Sequence, residues 1–267
     1  MKARKHFFLI IFSAVIIFAW ISCKKTVSTS ATFKLNYGDS IIYMQPSSGD
    51  YIVYPAEQKA GTYTAFPEGI ELDDRTGAIN VSKSETGLRY RITFTATDGT
   101  VTSTLVVISG ITFTDHFFHL SQGDSIALPV YNAEASRVLP LNGSSFDEGN
   151  GANSGGCSVR TVNGQINLAQ TVRNGVFGST PTNDVRRDFD IAYRINDASG
   201  KSLNKLRVRV YYYNTMADVA ADLMQTLQDR ETDGVFLAAN NSNPVGTASR
   251  GAAAAKPRPP CIIIIGQ

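Results

Sequence analysis

What the chain lacks narrows its reading first. It has three cysteines and three histidines in 267 residues, and no Cys-x-x-Cys pair, so a metal site built on closely spaced thiolates is not encoded. It has neither a Gly-x-Ser-x-Gly elbow nor a Cys–His pairing within a motif. An enzyme is therefore not expected, and no cofactor is implied. It lacks an excess of either charge, with 25 Lys and Arg against 23 Asp and Glu. Lys2, Arg4 and Lys5 precede Cys23 and no acid does, which leaves 22 basic against 23 acidic groups and a net charge near −1 from Cys23 onward. Such a balance does not serve to neutralise phosphates, so nucleic acid is not an expected partner. The middle of the chain lacks helical periodicity, which disfavours α/β architectures.

Against these absences stands a distinctive amino terminus. Three positive charges fall within residues 2–5, and Phe7 to Ile21 is an uncharged run. Its length suits the apolar region of a signal peptide and falls short of the roughly 20 residues that span a bilayer. It ends in Trp20-Ile21-Ser22-Cys23. A small residue before a cysteine at this point resembles the lipobox of bacterial lipoproteins of the Bacteroidota type, although Trp20 replaces the usual aliphatic residue. The resemblance implies acylation of Cys23 and localisation on the outer membrane, periplasmic or surface-exposed. Residues 1–22 are then the signal peptide and 23–32 a Ser/Thr-rich tether. If Cys23 takes lipid, Cys157 and Cys261 remain, either as a disulfide tying the tail to the second domain or as two buried thiols.

From residue 33 the pattern is β. Tyr90-Arg-Ile-Thr-Phe-Thr-Ala-Thr97 alternates, with Tyr90, Ile92, Phe94 and Ala96 on the core side. Asp98-Gly99 follows as a hairpin signal, and Thr102 to Ser109 returns as a β-branched strand. The landmarks recur. Gly38-Asp-Ser-Ile41 matches Gly123-Asp-Ser-Ile126, and Thr76-Gly-Ala-Ile-Asn-Val81 matches Asn163-Gly-Gln-Ile-Asn-Leu168. The final hairpin recurs as Phe189 to Tyr212, displaced by an insertion over Arg173 to Arg187 that reads as a turn and a projecting loop. One unit used twice is the economical explanation.

The stretch Pro67-Glu-Gly-Ile-Glu-Leu-Asp73, the turn Thr76-Gly-Ala-Ile79 and the strand end Tyr90 to Asp98 resemble the Ig-like and cadherin-like repeats of bacterial proteins, well over 33–109 and less well over 113–213. The resemblance implies an all-β fold of two tandem immunoglobulin-like β-sandwich domains of some seven strands each, residues 33–110 and 111–215. Residues 216–267 form a third segment. Met216 to Arg230 places Val219, Leu223, Met224 and Leu227 at helical spacing, one short amphipathic helix. Ala238 to Pro260 reads as a loose loop, and Ile262 to Ile265 as a strand buried on both faces.

Few residues offer chemistry. Asp73, Asp74 and Asp98 stand where cadherin-like repeats have acids, so they are weak calcium candidates. Thr76 replaces a motif glutamate, and the linker Ile108 to Thr112 carries no acids, so no metal is expected. The alternative for these aspartates is turn formation. His6 is in the leader, while His116 and His119, three apart on a strand, point to opposite faces. Arg194, Arg207 and Arg209, continued by Tyr211 and Tyr213, would share one exposed sheet face, an interaction patch or merely a soluble surface. The expected function is protein binding, adhesion or assembly by Ig-like domains on the cell envelope, with the membrane engaged through the N-terminal lipid. The alternative is a carbohydrate-binding lipoprotein of a glycan-uptake system, with sugar rings stacked on exposed aromatics. Metabolic labelling with a fatty-acid analogue should mark the wild-type chain and not Cys23→Ser; equal labelling of both would remove the anchor.

Overall fold

The computed structural model describes residues 33–232 and 259–267. The expected signal sequence and tether, Cys23, His6 and most of the Ala238–Pro260 segment lie outside the described residues. The described residues are mostly β-sheet, with 35% in strands and 16% in helix, and from Lys34 onward they fall in one compact unit.

Among the described residues seven strands precede residue 110: β1 (Ile41–Ile42), β2 (Ile52–Val53), β3 (Gly61–Phe66), β4 (Glu71–Leu72), β5 (Ile79–Asn80), β6 (Arg89–Ala96) and β7 (Val101–Ile108). They make a four-stranded sheet in the order β1-β7-β6-β3 and a three-stranded sheet β2-β5-β4. β1 runs parallel to β7, and the other pairings are antiparallel. Alternation along β6 buries Tyr90, Ile92 and Phe94 and turns Arg91, Thr93 and Thr95 outward. Asp98 holds the tight turn between β6 and β7 by accepting from Thr100 N–H at 2.8 Å.

Within residues 111–213 several bonds of this arrangement recur, although Ile41 pairs with β7 whereas Ile126, its counterpart in the sequence, pairs with Asn167. Asn80 ends β5 and caps the 3-10 turn Val81–Lys83, its side chain accepting from Lys83 N–H at 3.2 Å. After the short helix α1 (Gly151–Ser154) comes β13 (Ile166–Asn167), whose Asn167 caps helix α2 (Leu168–Arg173) by accepting from Gln170 N–H at 2.8 Å. Ser84 Oγ donates to Asn80 O at 2.7 Å, and Thr171 Oγ1 to Asn167 O at 2.8 Å. Those hydroxyls accept in turn from Glu71 N–H and Ser158 N–H. Tyr63 N–H donates to Asp74 O at 2.8 Å, and Phe146 N–H to Thr161 O at 2.9 Å. Each ring lies over a glycine at positive φ, Gly77 at +71° and Gly164 at +72°, where a Cβ would stand 2.6 and 2.8 Å from ring carbons. Only glycine combines that backbone region with that close approach.

The second set differs in its sheets, most of all at one seam. Its main sheet runs β12 (Ser145–Phe146), β14 (Val185–Arg194), β15 (Leu203–Tyr213), β16 (Cys261–Ile265), β9 (His116–His119). A small sheet pairs β10 (Ile126–Ala127) with β13, and another pairs β8 (Ile111–Thr112) with β11 (Val130–Tyr131). β16 is parallel to both of its neighbours. Ile262 and Ile264 enter the main core, beside residues such as Ile191, Val208 and Tyr212. Ile263, Ile265 and Cys261 enter a second, smaller core with Tyr211, Tyr213 and Leu223. Each buried isoleucine contributes about 1.5–3 kcal/mol. The length-dependent part of closing the preceding loop is about 3 kcal/mol.

Two expectations are corrected, and the open alternative for the cysteines resolves toward two buried thiols, Cys157 in the main core and Cys261 in the smaller one, with no disulfide between them. The Met216–Arg230 helix is two pieces, a 3-10 turn Met216–Asp218 and helix α3 (Ala221–Thr232), because the reciprocal Thr215–Asp218 cap ends at Val219 with ψ of 127°. The insertion after Arg173 does not merely project: Phe177 is buried and its ring lies 5.7 Å from that of Tyr212.

The two asparagines make parallel predictions. Asn80→Ala and Asn167→Ala should each lower unfolding free energy by about 1 kcal/mol in denaturant titrations, with Asp at either position largely restoring it. No loss in either variant would show that these caps are not holding the turns.

Candidate functional site

The outward face of β14 and β15 carries a ladder of charge set by register. Asp188 stands opposite Arg209 and Asp190 opposite Arg207. Arg209 donates to both Asp188 oxygens at 2.7 and 2.8 Å, and Arg207 to both Asp190 oxygens at 2.8 and 3.2 Å. These hydrogen bonds hold both carboxyls below the usual carboxylate range. Arg194 donates to Lys201 O at 2.8 Å and lies 3.8 Å from Glu148. Cross-strand pairs so exposed contribute about 1 kcal/mol or less each.

The expected patch is thus divided. Arg194, Arg207 and Arg209 do share a sheet face with Tyr211 and Tyr213, but the tyrosines are not exposed. Their rings stack with centroids 6.5 Å apart, at 7% and 0% exposure, in the core that Leu223, Val219, Ala220 and Leu227 complete. The apolar stripe of α3 covers them, and the open part of the face is the salt-bridge ladder. At the other end of the helix Arg230 lies 3.2 Å from Asp115 and 3.1 Å from Cys261 Sγ. Asp115 also accepts from Cys261 N–H at 2.6 Å. This cluster fixes the start of β16.

The densest polar network joins the two sheet sets. Tyr193, wholly buried on β14, shares a 2.6 Å hydrogen bond with Thr86 Oγ1 and accepts from Ile111 N–H at 3.2 Å. Asp197 accepts from Tyr131 Oη at 2.7 Å and from Ser109 Oγ at 3.2 Å. Asn132 and Gly110 exchange two hydrogen bonds, at 2.9 and 3.0 Å. Sequence reasoning missed all of these residues. Asn132 and Asp197 look like ordinary turn formers, and Tyr193 like one more core aromatic; only the fold brings them to residues 22 to 107 positions away.

Of the weak calcium candidates, Asp73 and Asp98 serve turns. Asp73 accepts from the N–H groups of Arg75 and Thr76 and from Thr76 Oγ1 at 2.7–3.0 Å, and these bonds, led by that of Thr76, lower its pKa. Among the described residues no group of three or more His, Cys, Asp or Glu could hold a metal. His116 lies 3.5 Å from Asp124 and meets the ring of Phe118 edge-on.

Burial pushes the Cys157 thiol and the Tyr193 phenol each up to about 12, from ordinary values of 9.0 and 10.0. Both remain protonated in the fold while the same groups ionise in the unfolded chain. Their stabilisation is therefore complete below the ordinary values and is lost as pH rises through 12. The melting temperature should hold from neutrality to about pH 9 and fall steadily above it; an unchanged value near pH 11 would mean that neither group is buried.

No family model and no curated protein matches the chain. Among solved structures, it is similar to the crystal structure of Drosophila N-cadherin EC1-4, at 13% identity and a TM-score of 0.20, over 68% of this chain and 49% of that one. The chain thus spans about half the length of that protein.

Proposed function

We propose that the chain is a non-enzymatic envelope lipoprotein, held to the outer membrane through Cys23, whose two tandem Ig-like sandwiches, residues 33–110 and 111–215, bind a protein in adhesion or assembly. The observation that carries this reading is the junction. Buried and partly buried hydrogen bonds at Tyr193, Asp197 and Asn132 fix one set of sheets against the other. A module so joined holds its outward faces at constant spacing, which favours recognition of an extended partner, because little freedom is lost on binding.

One face is open. On the four-stranded sheet the outward residues Thr62, Thr95, Val101, Ser103 and Leu105 are exposed, Val101 at 60% and Leu105 at 40%. Partly apolar surface of this kind, with Arg91 beside Leu105, suits protein contact. The glycan reading has less behind it, since Tyr211 and Tyr213 lie beneath α3 and offer no stacking platform.

A soluble chain beginning at Lys24, immobilised and probed with envelope proteins and with a glycan array, should bind a protein saturably. Leu105→Glu with Thr95→Glu should weaken that binding at least tenfold without changing the melting temperature. Binding to glycans alone would replace this reading with a carbohydrate-capture role. Separately, Tyr193→Phe leaves Thr86 and Ile111 short of a buried partner and should cost roughly 1–3 kcal/mol of stability.

A further inference from the structure

In the first set of sheets β1 pairs directly with β7, in parallel. At the matching place in the second set β9 and β15 are apart, and β16 stands between them, parallel to each. We propose that this gap is a strand-acceptor site and that β16 is a donor strand that a second copy of this chain supplies, so that the protein assembles by exchanging its carboxyl terminus. The inference needs neither the lipid anchor nor the binding partner proposed above.

The connection to β16 is the first argument. Arg230 of α3 touches Cys261, with Nη1 3.1 Å from Sγ. The chain therefore leaves α3 close to where β16 begins, and a short turn would close that distance. Instead 26 residues lie between Thr232 and Pro259. Connections longer than about 12–15 residues are uncommon within a domain, and those that exist are usually functional or linker segments. Fully extended, 26 residues reach about 85 Å, whereas a body of this size has a radius of gyration of about 18 Å. That length is enough to reach from one molecule's α3 to the slot of a neighbour, and is more than closure onto the chain's own slot needs.

The slot is also selective for this segment, which identifies the occupant. At the entrance Asp115 accepts from Cys261 N–H at 2.6 Å, and Arg209 N–H donates to Pro260 O at 3.0 Å. At the exit Gly266 N–H donates to Tyr213 O at 2.9 Å, and Gln267 N–H to Asn214 O at 3.0 Å. A Cβ on Gly266 would stand 2.3 Å from Tyr212 Oη, so the slot admits a glycine at that position. Between these ends all five residues of β16 are buried, with apolar surroundings on both faces. A strand supplied by another copy makes every one of these contacts, which is why exchange of an identical element is a low-cost route to assembly. Because β16 is wholly buried, the choice between own and neighbouring slot is made during folding, when protein concentration competes with the effective concentration set by the connection.

The test uses the chain from Lys24 to Gln267 carrying either of two affinity tags. The two forms are unfolded together, refolded at a series of concentrations and passed over both affinity resins, with mass read by light scattering. Dimers holding both tags should form in a fraction that rises with refolding concentration, and should be absent when the two forms are folded separately and then mixed. Monomers at every concentration would overturn the proposal. So would mixed dimers of chains that lack residues 261–267, since those come from another interface. Should the truncated chain fail to fold alone, a synthetic peptide of residues 259–267 present during refolding should restore a cooperative melt, saturably, and its Ile263→Asp form should not. Failure of the wild-type peptide would remove the acceptor site itself.

Discussion

The parallel insertion of Cys261–Ile265 between β15 and β9 is the constraint on which the second half of the molecule depends. A strand with apolar side chains on both faces requires an apolar layer on each side. The main core supplies one, through Ile262 and Ile264. The other has to be made, and α3 makes it by laying Leu223 over Tyr211, Tyr213, Ile263 and Ile265. The helix therefore exists on this face because the strand does. β9 likewise joins the sheet only through β16. A run of isoleucines that would be an aggregation hazard on an edge is harmless in the middle of a sheet, where both rows of backbone groups are paired.

Much of the fold was legible in the sequence, for identifiable reasons. The alternation of Tyr90, Ile92 and Phe94 reports a half-buried sheet directly. Gly77-Ala-Ile-Asn80 and Gly164-Gln-Ile-Asn167 are legible because each residue does a local job: a glycine at positive φ under an aromatic ring, an isoleucine in the core, an asparagine capping the next turn. The isoleucine run signalled a strand buried twice over. What it did not signal was its neighbours, because strand order depends on contacts more than 40 residues away that no local pattern encodes.

The candidate surface was half legible. Period two correctly put Arg207, Arg209, Tyr211 and Tyr213 on one side of β15, but that period is silent on what covers the side. The tyrosines go under α3, whose own stripe is weak because only Leu223 is fully buried and Met224 is 41% exposed. The arginines find Asp188 and Asp190 straight across the hairpin, a pairing readable once the register is known and not before. A disulfide was a fair inference from two spare cysteines, but Cys157 and Cys261 belong to separate cores.

Comparing the two halves separates what the repeated unit needs from what was added to it. The asparagine cap, the glycine under the ring, and the hydroxyl that accepts from the preceding strand are kept to within a few tenths of an ångström between Asn80, Gly77, Ser84 and Asn167, Gly164, Thr171. These bonds satisfy backbone groups that the turn would otherwise bury unpaired, so the unit cannot dispense with them. The seam between the first strand and the last carries no such obligation, because whichever strand fills it satisfies the same N–H and C=O groups. In the first half that strand is β7, reached by a tight hairpin from β6. In the second it is β16, which comes from the far end of the chain. The seam is therefore the one place in this unit where a different partner strand enters at no cost in backbone hydrogen bonding, and it is where the second half departs most from the first.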